Sequence, residues 1–229
     1  SVFGNNLTLS LFGESHGPAI GAVLDGLAPG IPLDLESIRL QLDQRRGEAN
    51  LSTARREADR FELVSGFFNG YTTGAPLTVL IRNEDTHSGD YSQLQTLMRP
   101  SHADYTAFCK YHGFQDYRGG GHFSGRVTAP VVAAGAVCQQ ILASHGVMLG
   151  THIARCGGVA DAELPEEEAA LRQALSHCNA SAFPTLDPSA GERMRRRIAE
   201  AKASLDSVGG VIETAVCGLP AGLGEPWFW

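Results

Sequence analysis

The sequence predicts an α+β fold, a layered sandwich with antiparallel sheets, on the strength of three observations. First, short strands are joined by hairpin-like connections, most clearly between residues 61–65 and 77–81, which turn signals separate. Second, the segment 128–144 is apolar on nearly every side, which is typical of a buried central helix. Third, the predicted elements show no regular succession of βαβ units, and the glycine run at 119–121 lacks the G-x-G-x-x-G dinucleotide fingerprint, which disfavours a Rossmann fold.

The first half of the chain is predicted to be rich in strands. Residues 6–12 alternate apolar and polar side chains, the period of a half-buried strand, and lead into a tight turn that we expect to expose His16. Residues 19–24 form a second predicted strand. Asp34 is a suitable N-cap for a helix over 35–42, because its carboxylate can accept from the backbone N–H groups of the first turn.

The second half alternates helices and strands, and local signals mark most of their ends. Proline in the first turn favours both the helix at 128–144 and the helix that follows Asp187. The predicted elements are a short helix at 103–111, the helix at 128–144, a strand at 147–153, helices that begin near Pro165 and Pro188, and a last strand at 210–217. The sequence contains no internal repeat, and we expect one domain over 1–229.

The composition is that of an ordinary globular protein, with 43% hydrophobic and 19% charged residues among 229. A net charge of −7 disfavours nucleic acid and anionic membranes as partners. The first residues lack a basic segment followed by an apolar run, so we expect a cytoplasmic location. Five scattered cysteines without a C-x-x-C arrangement indicate reduced thiols and no metal site.

Three histidines are the candidate groups for proton transfer, because histidine is the commonest acid or base near neutral pH. His16 lies at a predicted strand end, and His102 precedes Asp104, which is suited to orient it. His122 lies inside the glycine-rich segment, where packing and reaction are equally compatible with the sequence. A purely structural role is the alternative for each of them.

The glycine loop (Gly119–Gly121) predicts a site for an anion, because glycine lets backbone N–H groups approach a ligand closely. Arg126 opens the apolar helix that follows, where a cation needs an anionic partner. That partner is either a bound phosphate or carboxylate, or an ion pair with Asp116 or Asp104.

Two short basic clusters precede the predicted hairpin. Arg45 and Arg46 are further candidates for binding an anion. The cluster at 55–56 alternates in sign with Asp59 and is expected to be a solvated face. The residues by themselves thus indicate a cytosolic enzyme with arginines for an anionic substrate and two histidines for proton transfer.

Three signatures closely resemble the chorismate synthase family. They are Gly13-Glu14-Ser15-His16-Gly17, Arg99-Pro100-Ser101-His102-Ala103-Asp104, and Asp116-Tyr117-Arg118-Gly119-Gly120-Gly121 ahead of Ser124-Gly125-Arg126. They occur in the family's order, and the similarity extends over nearly the whole chain. The resemblance implies a β-α-β sandwich, in which antiparallel sheets pack around central helices, and assembly as a homotetramer.

The resemblance also implies a lyase of the shikimate pathway, which leads to the aromatic amino acids. The implied reaction is the anti-1,4-elimination of phosphate from 5-enolpyruvylshikimate 3-phosphate to form chorismate, with reduced FMN as cofactor and no net redox change. Some family members reduce their own flavin, so NADPH is a second expected cofactor. The expected partners are the small-molecule substrate and other copies of the chain.

Functional positions of the family match residues of this sequence. His16 matches the histidine that protonates the departing phosphate, and His102 matches the one that protonates or polarises the reduced flavin. The family's substrate-binding positions match Ser15, Arg45, Arg46, Ser124 and Arg126. Its flavin-contacting positions match His102, His122, Phe123 and Ser124.

Members of this family extend well beyond the segment at 218–224, and their further portion contributes much of the FMN site. We therefore expect a C-terminally truncated form of the family domain. Two hypotheses stay open: an active chorismate synthase, and a fragment that keeps the fold and oligomerises without binding flavin. A flavin reductase is a third, which NADPH oxidation without substrate would distinguish.

Overall fold

The computed structural model describes residues 1–45, 58–84 and 97–223. These residues fall into two compact units, one formed by 1–45, 58–84 and 97–138 and the other by 139–223. Both units combine helices with antiparallel strands, so the predicted α+β class is confirmed.

Two antiparallel sheets belong to the first unit. Its strands are β1 (Val2–Phe3), β2 (Thr8–Gly13), β3 (Ala19–Asp25), β4 (Phe61–Ser65), β5 (Phe67–Phe68), β6 (Tyr71–Thr72) and β7 (Leu77–Arg82). The larger sheet has the order β1-β2-β3-β7-β4, and β5 pairs with β6 as a separate hairpin. The predicted pairing of 61–65 with 77–81 is confirmed, since Phe61 lies opposite Ile81.

The core of the larger sheet lies on one face of two of its three inner strands, β3 and β7. Six side chains there are at most 2% exposed: Ile20, Ala22, Leu24, Leu77, Val79 and Ile81. They share a face because alternate residues of a strand point the same way. The β5–β6 turn has Asn69 and Gly70 both at positive φ, which a two-residue hairpin of this kind requires.

The first unit contains α1 (Leu35–Arg45), α2 (Asp104–Tyr111) and the start of α3 (Thr128–Ser144). Asp34 accepts from the backbone N–H of Glu36, as expected of a capping residue. Two short segments lie between α2 and α3: Arg118–Phe123, which contains the glycine loop and has non-helical backbone angles at its three glycines, and the 3₁₀ turn Gly125–Val127. The observed bounds of α3 are those predicted from its apolar run.

Within the described ranges, residues 125–144 have the length and apolar character of a membrane span. The core helix of a soluble protein has the same length and composition, and 39% of this segment is buried within the protein. The buried side chains of α3 are Ala129, Pro130, Ala133, Ala134, Ala136 and Val137.

The second unit has a three-stranded antiparallel sheet in the order β10-β8-β9 and two helices. Its elements are β8 (Met148–Cys156), β9 (Val159–Ala160), α4 (Glu168–Asn179), α5 (Pro188–Ala203) and β10 (Gly210–Cys217). Asp187 caps α5 by accepting from the N–H of Ser189, as the sequence predicts. Gly150 lets α4 lie close to β8, because a Cβ there would be 3.0 Å from Leu175 Cβ.

A buried histidine of the second unit contacts two carboxylates. His152 on β8 has its Nδ1 2.9 Å from Asp161 Oδ2 and its Nε2 2.9 Å from Glu213 Oε2. The Asp161 side chain is fully buried and also accepts the backbone N–H groups of Leu186 and Asp187. Asp161 therefore links β8 to the start of α5.

Replacing Asp161 by asparagine is expected to lower the free energy of unfolding at neutral pH by about 3 kcal/mol, because an amide nitrogen cannot accept these hydrogen bonds. Burial raises the pKa of Asp161, but the N–H groups of Leu186 and Asp187 and the ring of His152 outweigh it, so the pKa lies below its ordinary value of 3.8. The stabilisation from this carboxylate is therefore present above its ordinary pKa and is lost as the pH falls through the lowered pKa.

Urea denaturation at neutral pH and at about pH 3 measures this difference, and the gap between wild type and Asp161→Asn should narrow in acid. Glu192→Gln removes an exposed carboxylate from α5 and should change the stability by less than about 0.5 kcal/mol. Equal stability of wild type and Asp161→Asn at neutral pH would contradict the structural role of Asp161.

Candidate active site

Three stretches of the first unit meet around the glycine loop. The turn after β2 contacts it through Ser15, whose backbone N–H donates to Gly121 O at 3.1 Å. His122 Nδ1 donates to Gly13 O at 2.9 Å in the same place. The segment before α2 brings His102 against Gly120. The structure thus places the rings of His16 and His102 against two neighbouring glycines, Gly119 and Gly120.

The glycine loop needs glycine at each position. Gly119, Gly120 and Gly121 have φ of 57°, 86° and 55°, in the left-handed region that favours glycine. A Cβ on Gly119 would lie less than 3.0 Å from the His16 ring, and one on Gly120 would lie 2.6 Å from His102 Cε1. The missing side chains therefore make room for the two imidazole rings.

His16 is buried, which corrects the expectation that the turn exposes it. Its exposed fraction is 8%, and that of Ser15 is 0%, because the glycine loop packs over the turn. Ser15 Oγ lies 3.2 Å from His16 Nδ1. The turn is held from its other side by Asn83, whose Nδ2 donates to Glu14 O at 2.9 Å and Gly17 O at 2.8 Å.

His102 belongs to a charged cluster with Asp104 and Arg99. Its Nδ1 lies 2.7 Å from Asp104 Oδ1, so the carboxylate orients the ring as the sequence suggests. Arg99 binds the same carboxylate with two nitrogens, at 2.8 and 2.9 Å. The Arg99 guanidinium holds the pKa of Asp104 well below its usual range, so Asp104 stays ionised.

Arg126 and Arg45 converge on one carboxylate, that of Asp59. Arg126 Nη1 donates to Asp59 Oδ1, and Arg45 Nη1 donates to Asp59 Oδ2 at 2.9 Å. If Arg126 formed an ion pair, we expected its partner to be Asp116 or Asp104, and this expectation was wrong. Asp116 instead binds Arg118, and Asp104 binds Arg99 and His102.

Two further predicted residues follow the glycine loop closely in the sequence. Ser124 caps the turn Gly125–Val127, and its Oγ accepts from the backbone N–H of Arg126 at 3.3 Å. Phe123 is 40% exposed and lies edge-on to His122, with ring centroids 6.3 Å apart. Arg46 lies outside the described residues.

A cavity of about 480 Å³ lies beside the glycine loop within the first unit. Its polar lining residues include Glu14, Asp104, Gln115, Asp116 and His122, and Gln115 Oε1 is buried without a hydrogen-bond partner among the residues that the structure describes. The aromatic residues that line it are Phe12, Tyr111, Phe114, Tyr117 and Phe123. Such a cavity suits a flat heteroaromatic ring that carries an N–H donor at its edge.

Two polar residues of the site were not predicted from the sequence. Asp59 was expected on a solvated face, yet its side chain is only 1% exposed, because it faces two guanidinium groups. Asn83 follows β7 in a polar segment that resembles an ordinary loop, and its role depends on the turn around His16, far away in the sequence. No local pattern distinguishes these two from surface residues.

Comparison with known proteins identifies one family. A family model of chorismate synthase matches residues 7–229. A chorismate synthase of Aeropyrum pernix is 44% identical over 97% of this chain and 58% of its own length. A chorismate synthase of Thermococcus gammatolerans is 44% identical over 98% of this chain and 61% of its own length. A crystal structure of chorismate synthase has a TM-score of 0.74 and 29% identity, over 96% of this chain and 61% of its own.

The chain therefore spans about three fifths of the length of the curated relatives that it matches. Within that span, the family model extends over both compact units. The matched region also contains all three signatures that meet at the glycine loop. On this coverage and identity, the chain belongs to the chorismate synthase family.

Proposed function

We propose that the chain carries out chorismate synthase chemistry, the anti-1,4-elimination of phosphate from 5-enolpyruvylshikimate 3-phosphate to form chorismate, with reduced FMN. The observation that carries this proposal is the packing of His16 against Gly119 and of His102 against Gly120. Two imidazole groups that pack against adjacent glycines of one loop can act in one site. Membership of the family supports the same reaction.

His16 is the group that donates a proton to the departing phosphate. Its ring is largely shielded from water and lies beside Ser15 Oγ, which limits its orientation. A phosphate departs more readily when the negative charge that develops on it is neutralised. A buried acid is well suited to this role, because electrostatic effects are stronger where water is excluded.

His102 acts on the cofactor side of the site. Asp104 accepts from its Nδ1, so Nε2 is the ring atom that holds or delivers a proton. Arg99 fixes the Asp104 carboxylate with two hydrogen bonds, and its Nη2 also lies 3.2 Å from Nδ1 and 3.4 Å from Nε2 of the His102 ring. These contacts restrict the orientation of the His102 ring.

Substrate binding requires groups that recognise a phosphate and carboxylates. Guanidinium groups match both because their N–H donors form a planar fork. The residues proposed to hold the substrate are Ser15, Arg45, Ser124 and Arg126, with Arg46 from outside the described residues.

The cavity beside the glycine loop fits a flavin. Its aromatic side chains suit a flat ring, and the unpartnered Gln115 Oε1 would accept from a ring N–H. His122 and Phe123, at two of the family's flavin-contacting positions, line the same cavity. The other two positions, His102 and Ser124, are sequence neighbours of the lining residues Ala103 and Phe123. When bound, reduced FMN supplies an electron transiently and recovers it, so no net redox change results.

The proposal is tested by titrating the purified chain with oxidised FMN in the presence of 5-enolpyruvylshikimate 3-phosphate. We expect a change in flavin absorbance and fluorescence, and, with pre-reduced FMN under anaerobic conditions, equal amounts of phosphate and chorismate. No spectral change at saturating concentrations would overturn the proposal and favour a fragment that keeps the fold without binding flavin. NADPH oxidation without the phosphorylated substrate would favour a flavin reductase.

The same proposal includes the cytoplasmic location, the homotetramer and the use of NADPH that the family implies. Light scattering coupled to gel filtration measures the mass of the assembly. A mass of one chain at micromolar concentration would remove the tetramer from the proposal without affecting the chemistry.

A further inference from the structure

Asp59 has two unusual features for a residue outside the recognised signatures. Its carboxylate is almost completely buried, with 1% of the side chain exposed. Its backbone φ is 46°, in the left-handed region that non-glycine residues rarely adopt. Both features cost folding free energy, so the surrounding contacts must compensate for them.

The compensation comes from two guanidinium groups, one on each carboxylate oxygen. Arg126 Nη1 donates to Oδ1, and Arg45 Nη1 donates to Oδ2. Without a shared anion, two cations this close would repel each other. With Asp59 between them, the group carries one net positive charge, which suits an anionic ligand.

The two arginines are also held from their other sides. Arg45 Nη2 donates to Gly125 O at 3.0 Å, and its Nε lies 3.3 Å from Thr128 Oγ1. Arg126 Nε donates to Asn83 Oδ1 at 3.0 Å, and its Nη2 donates to Arg82 O at 3.3 Å. These contacts fix the plane of each guanidinium group. Asp59 accepts from both groups and therefore fixes the orientation of one plane relative to the other.

Asn83 connects Arg126 to the turn that contains His16. Asn83 binds Arg126 with its oxygen and the carbonyls of Glu14 and Gly17 with its nitrogen. These two carbonyls flank His16 in the turn. A short chain of hydrogen bonds thus connects Asp59 to the turn that carries the proposed acid.

We propose that Asp59 is a positioning residue, which fixes the relative orientation of Arg45 and Arg126 so that both can bind the anionic groups of one substrate molecule. The inference rests on the proposed function, because it assumes the phosphorylated substrate. Asp59 does not contact that substrate itself, because a carboxylate would repel the anionic groups of the substrate. Of the two arginines that it joins, Arg45 is the more open to solvent, with 24% of its side chain exposed against 2% for Arg126.

The test replaces Asp59 by asparagine, which keeps the size of the side chain and removes its charge. We expect the KM for 5-enolpyruvylshikimate 3-phosphate to rise by about tenfold or more, because an amide offers one acceptor oxygen in place of two, so that one guanidinium group loses its acceptor and faces an N–H donor. We expect kcat to change by less than about threefold, because Asn83 still binds the two carbonyls beside His16. A role in stability alone would leave KM unchanged.

The Kd of the same substrate, measured by calorimetry with oxidised FMN present, separates this inference from the proposed function. If wild type binds the substrate and Asp59→Asn binds it equally well, the positioning role is wrong and the proposed function stands. If wild type does not bind it, both are wrong. Asp25→Asn, the same change at an exposed aspartate at the end of β3, should keep the wild-type Kd.

Asp59→Glu keeps the test decisive if Asp59→Asn does not fold. It retains the negative charge and lengthens the side chain by one methylene, which displaces both guanidinium groups. We expect the Kd to rise at least about threefold in a folded protein. A wild-type Kd in Asp59→Glu would overturn the inference.

Discussion

Replacing His16 or His102 by alanine is expected to lower the turnover number for phosphate release by about 100-fold or more in each variant. His16→Ala removes the proposed acid for the leaving phosphate, and His102→Ala removes the imidazole that Asp104 orients at 2.7 Å. Substrate affinity should change much less, because Arg45 and Arg126 keep their contacts with Asp59. Initial rates of phosphate release with pre-reduced FMN measure the effect.

The matched control for these two variants is His177→Ala. His177 is an exposed histidine on α4 in the second unit, and its loss should leave the turnover number at the wild-type value. Wild-type turnover in both His16→Ala and His102→Ala would overturn the assignment of the two histidines, whatever the chain binds.

Alanine at Gly120 is expected to lower turnover by about 100-fold, although the change removes no polar group. The added Cβ would lie 2.6 Å from His102 Cε1, and real Cβ contacts essentially never fall below 3.0 Å, so the ring or the loop must shift. A displacement of roughly 1 Å in a catalytic group can reduce the rate by about this factor. Gly119→Ala should act in the same way on His16, because its Cβ would meet that ring.

Gly70→Ala separates the contact with His102 from backbone strain. Gly70 has a φ of 88°, against 86° for Gly120, but no atom lies within 4 Å of a Cβ added there. Both substitutions should lower the free energy of unfolding through the strained φ, by about 1 to 2 kcal/mol. Thermal unfolding and turnover are therefore measured on the same samples. Equal turnover in Gly70→Ala and Gly120→Ala would show that the close fit to His102 is unnecessary.

Many of the secondary-structure elements could be predicted because their signals are local. The bounds of α3 and β10 agree with the predicted ranges, since an apolar run with proline in its first turn and a β-prone run after glycine are both properties of neighbouring residues. The cap of α5 by Asp187 is equally local, as its carboxylate accepts from Ser189 two residues away. The contact between His102 and Asp104 is local as well, because the two residues are two positions apart.

The partners of the charged residues could not be predicted in this way. Arg126 and Asp59 are 67 positions apart, and Arg126 had nearer aspartates in the sequence that pair elsewhere. A carboxylate in an alternating run of charges is usually solvated, so the sequence pattern around Asp59 favoured the wrong environment. Only the packing of the first unit determines which guanidinium groups reach it.

The sequence by itself determined the family, the α+β class and most of the elements, and it marked the two histidines as candidates, because motifs and periodicity depend on residues that are close in the chain. The tertiary structure alone decided that His16 is buried, that Gly119 and Gly120 lie against His16 and His102, and that Arg45 and Arg126 share Asp59. The physical reason is that burial and ion pairing depend on distances through space, and these are set only when distant segments pack together.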